Sequence, residues 1–266
     1  MKEFEYKLIS MDFDGTLLTS DKKVSEKTKN TLLKYKNNGY YIVGVTARCL
    51  ESIKDELPLD IFNYLVFNNG TCIYDVEKES LDYIGTIEKD KIRQILPLIE
   101  SKTRRINLVS ATKYYLYKYR NDSSKNFIIF IDNLDEVLEE IVRINVFFDN
   151  QEEIEYYYNL LKDKFPNLNV GIMQDSGDEE KWLIINPSGI DKSTTLESLG
   201  RNLKVSNDEM IFFGDGLNDA LVMTKVGCSV AMENALDSIK KQAKYITTSN
   251  DEDGISKFLE ENIRCK

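Results

Sequence analysis

Residues 7–16 read KLISMDFDGT, an apolar run from Leu8 to Met11 that ends on two carboxylates, Asp12 and Asp14, with Gly15 behind them. The run predicts a buried strand over 7–13. Two acids spaced by one residue repel each other and resist burial, so their place at a strand end implies a compensating positive charge. The elements that follow set the fold. Residues 25–38 predict a helix capped by Ser25 and stopped at Gly39, YYIVGVT (40–46) a second strand, CLESIKDELPL (49–59) a short helix, and YLVFNNG (64–70) a third strand running into a turn. Strand and helix alternating in this way is the pattern of a parallel sheet with crossover helices.

The rhythm then changes. A helix at 88–101 is followed by strand-like stretches at 106–119, 126–131 and 143–149, a helix at about 151–164, and strands at 168–175 and 181–187. Alternation resumes with a helix from Asp191, the strand MIFFGD (210–215), a helix from Asn218 and the short strands CSVAM (228–232) and KYITT (244–248). The expected organisation is a core of two segments, 1–84 and 188–266, around an α+β insertion at 85–187.

Composition narrows the chemistry. Lys plus Arg is 35 and Asp plus Glu is 45, a net charge of −10, which repels nucleic acid and anionic lipid. No apolar stretch approaches the ~18 residues that a membrane span requires, and the N-terminus has no apolar signal core. A cytoplasmic protein without nucleic-acid, membrane or protein partner is expected. Cys49, Cys72, Cys228 and Cys265 form no CxxC pair and read as reduced thiols. There is no histidine, which excludes Ser-His-Asp and Cys-His catalysis and His-based zinc sites.

Ligands of parallel sheets bind at the carboxyl ends of the strands. Here the strands end in Asp12 and Asp14, Thr46, Asn68 and Asn69, and Asp215. Carboxylates converging without histidine select a hard cation such as Mg²⁺. A carboxylate, Mg²⁺ and a lysine together suit phosphoryl transfer. Asp12 is a candidate nucleophile and Asp14 a candidate general acid and base. Asn68 and Asn69 read as turn formers before Gly70. Tyr114, Tyr115, Tyr117 and Tyr119 read as a strand with one face in the core of the insertion. The loop DSGDEE (175–180) reads as a solvated turn or a hairpin overhanging the site.

The motifs DFDGTLL, VTAR, GIDKSTTL and GDGLNDALVM occur in that order. They resemble the four signatures of the haloacid dehalogenase superfamily of phosphohydrolases, and NNGTCIYD and VGCSVAMENALDSIKKQAKYIT resemble its Cof-like subfamily, which carries a type IIB cap. The resemblance implies an α/β fold with a Rossmann-like parallel-sheet core and an inserted α+β cap. It implies Asp12 as nucleophile, Asp14 as acid and base, and Thr46 and Lys192 on the phosphate, with Arg48 and Asn218 as further substrate or phosphate contacts. Mg²⁺ would be held by Asp12, Asp14 (through its carbonyl) and Asp215, with Asp219 completing the set. The sequence departs from the usual pattern at Ala47 and Ser193, where glycine is common. The implied function is Mg²⁺-dependent hydrolysis of small phosphorylated metabolites, sugar phosphates foremost, with pyridoxal phosphate or flavin mononucleotide as other candidates. A phosphomutase and a non-catalytic phosphate-binding module are the alternatives.

Overall fold

The computed structural model describes residues 6–54, 56–120, 125–174 and 180–264; residues 175–179 of the DSGDEE loop lie outside them. The first segment contains β1 (Leu8–Met11), α1 (Glu26–Asn37), β2 (Tyr41–Val45), β3 (Tyr64–Phe67), β4 (Cys72–Asp75) and β5 (Ser80–Tyr83). The middle contains α2 (Lys89–Ile99), β6 (Thr103–Ser110), β7 (Tyr114–Tyr117), β8 (Ile128–Ile131), β9 (Ile141–Phe148), α3 (Glu153–Lys164), β10 (Leu168–Gln174) and β11 (Lys181–Pro187). The last segment contains α4 (Lys192–Asn202), β12 (Met210–Gly214), α5 (Ala220–Lys225), β13 (Cys228–Ala231), α6 (Asp237–Lys240), β14 (Tyr245–Ile246) and α7 (Gly254–Asn262). The chain divides into two compact units. The first comprises 1–48, 53–82 and 191–266, and the second comprises 49–52 and 83–190.

The sheet of the first unit has the order β14-β13-β12-β1-β2-β3-β4-β5. The six strands from β14 to β3 pair in parallel, and β4 joins antiparallel. β1, β2, β12 and β13 are apolar runs buried almost throughout, as a sheet covered on both faces requires. From β1 the chain moves to β2 on one side, while β12 lies on the other. β1 and β12 therefore flank the switch point at which a ligand crevice opens.

The sheet of the second unit has the order β10-β11-β9-β6-β7-β8 and is antiparallel except for β7 with β8. α2 and α3 pack on one face, sharing a core with Ile106, Leu108, Ile144, Val146, Leu183 and Ile185.

Two local expectations are corrected. Among the described residues of 49–59 there is no α-helix, and 3₁₀ turns stand at Leu50–Ser52 and Leu59–Ile61; Pro58 between them has no N–H for a helical ladder. The strand expected over 106–119 is two strands, because a turn closes with Ser110 N–H donating to the Lys113 carbonyl at 2.9 Å. Tyr114 to Tyr117 then alternate, Tyr115 in the helix-covered core, and Tyr119 lies beyond the strand. Among the described residues, no helix is long and apolar enough to cross a membrane.

Candidate active site

The backbone ladder of β1 runs one residue past the strand, with Asp12 N–H donating to the Phe213 carbonyl at 3.0 Å. The chain then folds back, as Leu17 N–H donates to the Asp12 carbonyl and Leu18 N–H to the Phe13 carbonyl. Phe13 is fully buried and fills the space over Gly44, where a Cβ would stand 2.5 Å from its ring. Packing Phe13 there directs its neighbours Asp12 and Asp14 toward the crevice. Gly15 has φ +80°, and a Cβ on it would meet Asp215 Oδ2 at 2.4 Å. Only glycine meets both demands.

Lys192 opens α4, a position where the helix dipole disfavours a cation, and its side chain is 2 % exposed. Asp191 caps the helix, accepting from Thr194 N–H at 2.8 Å. The preceding wall is the Asn68-Asn69-Gly70 turn, left-handed at all three residues, with Thr195 Oγ1 donating to the Gly70 carbonyl at 2.7 Å. The asparagines are thus turn formers that seat the start of α4. Lys192 Nζ donates to Asp12 Oδ1 at 2.5 Å and to Asp219 Oδ1 at 2.8 Å. Asp219 Oδ2 in turn accepts from the backbone N–H groups of Asp215 and Gly216, each at 3.1 Å. Asp215 Oδ1 accepts from Thr16 Oγ1 at 2.7 Å.

Asp12, Asp215 and Asp219 each place a carboxylate oxygen within 4.8 Å of the others. With all three ionised and Lys192 charged, the cluster carries −3 + 1 = −2. Burial is the largest influence on Asp12 and pushes its carboxyl well above the ordinary value; Lys192 opposes this and Asp219 adds to it. Burial also works against the charge on Lys192, but Asp12 and Asp219 outweigh it and hold the ammonium above the usual lysine range. Burial raises Asp215 to about 6. A divalent cation fits this donor set. The oxygens are hard, the local charge is short by two, and Asp215 Oδ2 points into the cradle left by the missing Cβ of Gly15.

The remaining expected residues take different places. The Asp14 carboxylate is partly exposed and pairs with Lys22 Nζ at 2.6 Å, with Arg48 at 3.6 Å. Arg48 grips Glu56 with both guanidinium arms, each at 2.7 Å. Thr46 is buried, and its Oγ1 accepts from Arg48 N–H at 3.1 Å. The Asn218 side chain is exposed. Both Asp219 oxygens accept hydrogen bonds, Oδ1 from Lys192 and Oδ2 from the motif backbone.

Residues that the sequence reading passed over complete the loop. Thr16 ties it to Asp215, and Asn234 Nδ2 donates to the Gly15 carbonyl at 2.7 Å. Asn250 N–H donates to Asn234 Oδ1 at 3.1 Å, while Asn250 Nδ2 donates to the Leu18 carbonyl at 2.8 Å. Thr16 lay within the first motif and Asn234 within the stretch VGCSVAMENALDSIKKQAKYIT, but a contact spanning more than 200 residues leaves no local signal. Asn234→Ala is expected to lower kcat roughly five- to tenfold, the worth of about one hydrogen bond, with KM and melting temperature nearly unchanged. An unchanged kcat with a lower melting temperature would make Asn234 merely structural.

A family model described as haloacid dehalogenase-like hydrolase matches residues 9–259. The chain is 27% identical over 268 residues to the 5-amino-6-(5-phospho-D-ribitylamino)uracil phosphatase YitU of Bacillus subtilis, covering 96% of each chain. It is also 27% identical to the phosphatase YwpJ of Bacillus subtilis, over 95% of this chain and 98% of the other. A solved haloacid dehalogenase-like hydrolase from Bacteroides thetaiotaomicron superposes with a TM-score of 0.80 at 24% identity, over 96% of this chain and 99% of that one.

Proposed function

This chain belongs to the haloacid dehalogenase-like hydrolase family, and we propose that it is a Mg²⁺-dependent phosphatase of small phosphorylated metabolites that works through an aspartyl-phosphate on Asp12. The observation that carries the reading is the buried Lys192 held between Asp12 and Asp219 at 2.5 and 2.8 Å beside Asp215. Lys192 holds the Asp12 carboxylate in place, and one carboxylate oxygen forms the bond to phosphorus as the ester P–O bond breaks. Asp14, at the partly exposed rim, gives its proton to the leaving oxygen and later takes one from the attacking water; that water's oxygen bonds phosphorus as the Asp12 O–P bond breaks. Thr46 and Lys192 bind phosphoryl oxygens. Arg48 and Asn218 stand at the rim as further phosphate contacts, Arg48 held beside Asp14 by Glu56. Asp219 keeps Lys192 and the motif backbone in place. Mg²⁺, held by Asp12, Asp215 and the Asp14 carbonyl, supplies positive charge for a phosphoryl group in an acidic protein.

The substrates are sugar phosphates first; the relative YitU is named for a phosphorylated ribityl compound, which places polyol phosphates in the same test panel. The panel is run with Mg²⁺ and again with excess chelator. Release of phosphate from at least one sugar or polyol phosphate, stopped by the chelator, is expected. Full activity in chelator would remove the metal, and no release from any member would remove the reaction.

The raised carboxyl of Asp215 sets a pH signature. It binds its proton more tightly in the folded state, so without metal its contribution favours folding below 3.8 and is lost as pH rises to about 6. Metal binding requires the ionised form. The rise in melting temperature on adding Mg²⁺ is therefore expected to be small at pH 5 and to grow through pH 6 toward pH 7. A Mg²⁺ shift that is flat across that range would exclude Asp215 as ligand.

A further inference from the structure

A lysine outside all four motifs stands over Asp14. Lys22 Nζ lies 2.6 Å from Asp14 Oδ1. The Arg48 guanidinium approaches the same oxygen at 3.6 Å from beyond β2, and Glu56 sets its orientation. Two cations of the first unit therefore address one oxygen of Asp14. Lys22 is carried there by a pinned turn. Thr19 N–H donates to the Lys23 carbonyl at 2.9 Å and Lys22 N–H to the Thr19 carbonyl at 2.8 Å, which closes a tight turn over 19–23. Lys22 has φ +59°, a left-handed conformation that reverses the chain sharply. Ser20 ties the turn to the loop after β14, donating from its N–H and its Oγ to the two carboxylate oxygens of Asp251 at 2.7 and 2.6 Å. Asn250, next to Asp251, holds the Leu18 carbonyl. The stretch just before Lys22 is thus anchored twice.

Stability does not account for this arrangement. The side chains are 56% exposed for Lys22 and 39% for Asp14, and an ion pair so open to water contributes little to folding. Its consequence is for direction. A general acid acts only within hydrogen-bond reach of the atom that takes its proton, and a small misplacement of a catalytic group costs much in rate. Asp14 sits at the rim, where a carboxyl free to rotate would face the leaving oxygen only part of the time. An ammonium held on Oδ1 restricts that rotation.

Given the phosphatase reading, on which this role rests, we propose that Lys22 is a positioning residue whose ammonium holds Asp14 in the orientation that meets the leaving oxygen. It acts through Asp14 and does not touch the phosphoryl group. Lys22 takes no part in the proton transfer itself; the proton passes from Asp14 to the leaving oxygen as the ester P–O bond breaks.

A leaving-group series with Mg²⁺ reads this role. Benzyl, phenyl and p-nitrophenyl phosphate have similar shapes, but their leaving oxygens depend on a proton to a decreasing extent, and kcat/KM covers the step in which that oxygen departs. Lys22→Met is expected to lower kcat/KM about tenfold for benzyl phosphate, less for phenyl phosphate, and no more than about twofold for p-nitrophenyl phosphate. Lys22→Arg is expected to recover most of the loss, and the melting temperature to stay nearly unchanged in both variants. Lys23→Met, which removes the neighbouring exposed charge, is expected to leave all three rates as they are. An equal loss on all three substrates would place Lys22 on the phosphoryl group instead. A faster reaction with benzyl phosphate would mean that Lys22 holds Asp14 away, and unchanged rates would leave only an exposed ion pair. Each of these overturns the proposal, as does a loss that follows a lowered melting temperature and is not recovered by arginine, or an unmodified protein that turns over none of the three. Phosphate release from the sugar and polyol phosphate panel by the unmodified protein decides the phosphatase reading separately.

Discussion

Asp12→Asn is expected to lower phosphate release by on the order of 10⁵-fold, the scale seen when a covalent nucleophile is removed, while the protein stays folded. The amide keeps the shape of the carboxylate, and its oxygen still accepts from Lys192, so the contact at 2.5 Å has a replacement. What disappears is the negatively charged oxygen that attacks phosphorus. The folded state loses little, because the amide oxygen replaces that contact and Lys192 stays paired with Asp219 at 2.8 Å. Asp14→Asn is expected to abolish turnover as well, through loss of the proton donor and acceptor. Initial rates on the best substrate of the panel, read beside circular-dichroism melts, check both. Wild-type rates in either variant would end the assignment, and an unfolded Asp12→Asn would show that the carboxylate is there for stability.

Lys192→Met is expected to damage both activity and fold. Lys192 is the ammonium between two carboxylates, with side-chain exposures of 2%, 10% and 0% for Lys192, Asp12 and Asp219. Removing one partner of a buried ionic set strands the others, at about 3–5 kcal/mol; an exposed pair would cost ~1 kcal/mol or less. Loss of a charge preorganised for the phosphoryl oxygens lowers kcat by about 10³-fold more or less independently of the stability cost. Adding Asp12→Asn to Lys192→Met removes one stranded charge and should recover part of the lost stability, a coupling that a double-mutant cycle in urea measures. A single-variant cost below ~1 kcal/mol, or strict additivity of the two changes, would contradict the buried triad. The two experiments separate the roles: Asp12→Asn isolates chemistry, and Lys192→Met shows how the same ion set supports the fold.

Asn234, by contrast, makes two neutral hydrogen bonds at the edge of the same loop, to the Gly15 carbonyl and from Asn250 N–H. Its expected effect is smaller because neutral hydrogen bonds are at stake rather than a buried charge.

The α/β class and the family were legible in the chain by itself, because both rest on local pattern. The runs LISM, YIVGV, MIFFG and CSVA are apolar without alternation, which only a strand covered on both sides tolerates. The acids stand where those runs stop, and strand ends are where a parallel sheet opens to a ligand. The spacing of Asp12, Gly15 and Asp215 around those ends was therefore readable as chemistry. Tertiary structure alone decided which groups answer one another. It turned Asp219 toward Lys192 and the motif backbone, gave Arg48 to Glu56, set Phe13 over Gly44, and brought Asn234 to the Gly15 carbonyl from the far end of the chain. The reason is physical: periodicity records which way a side chain leaves its own backbone, whereas its partner across space is fixed by register and packing between segments that the chain keeps far apart.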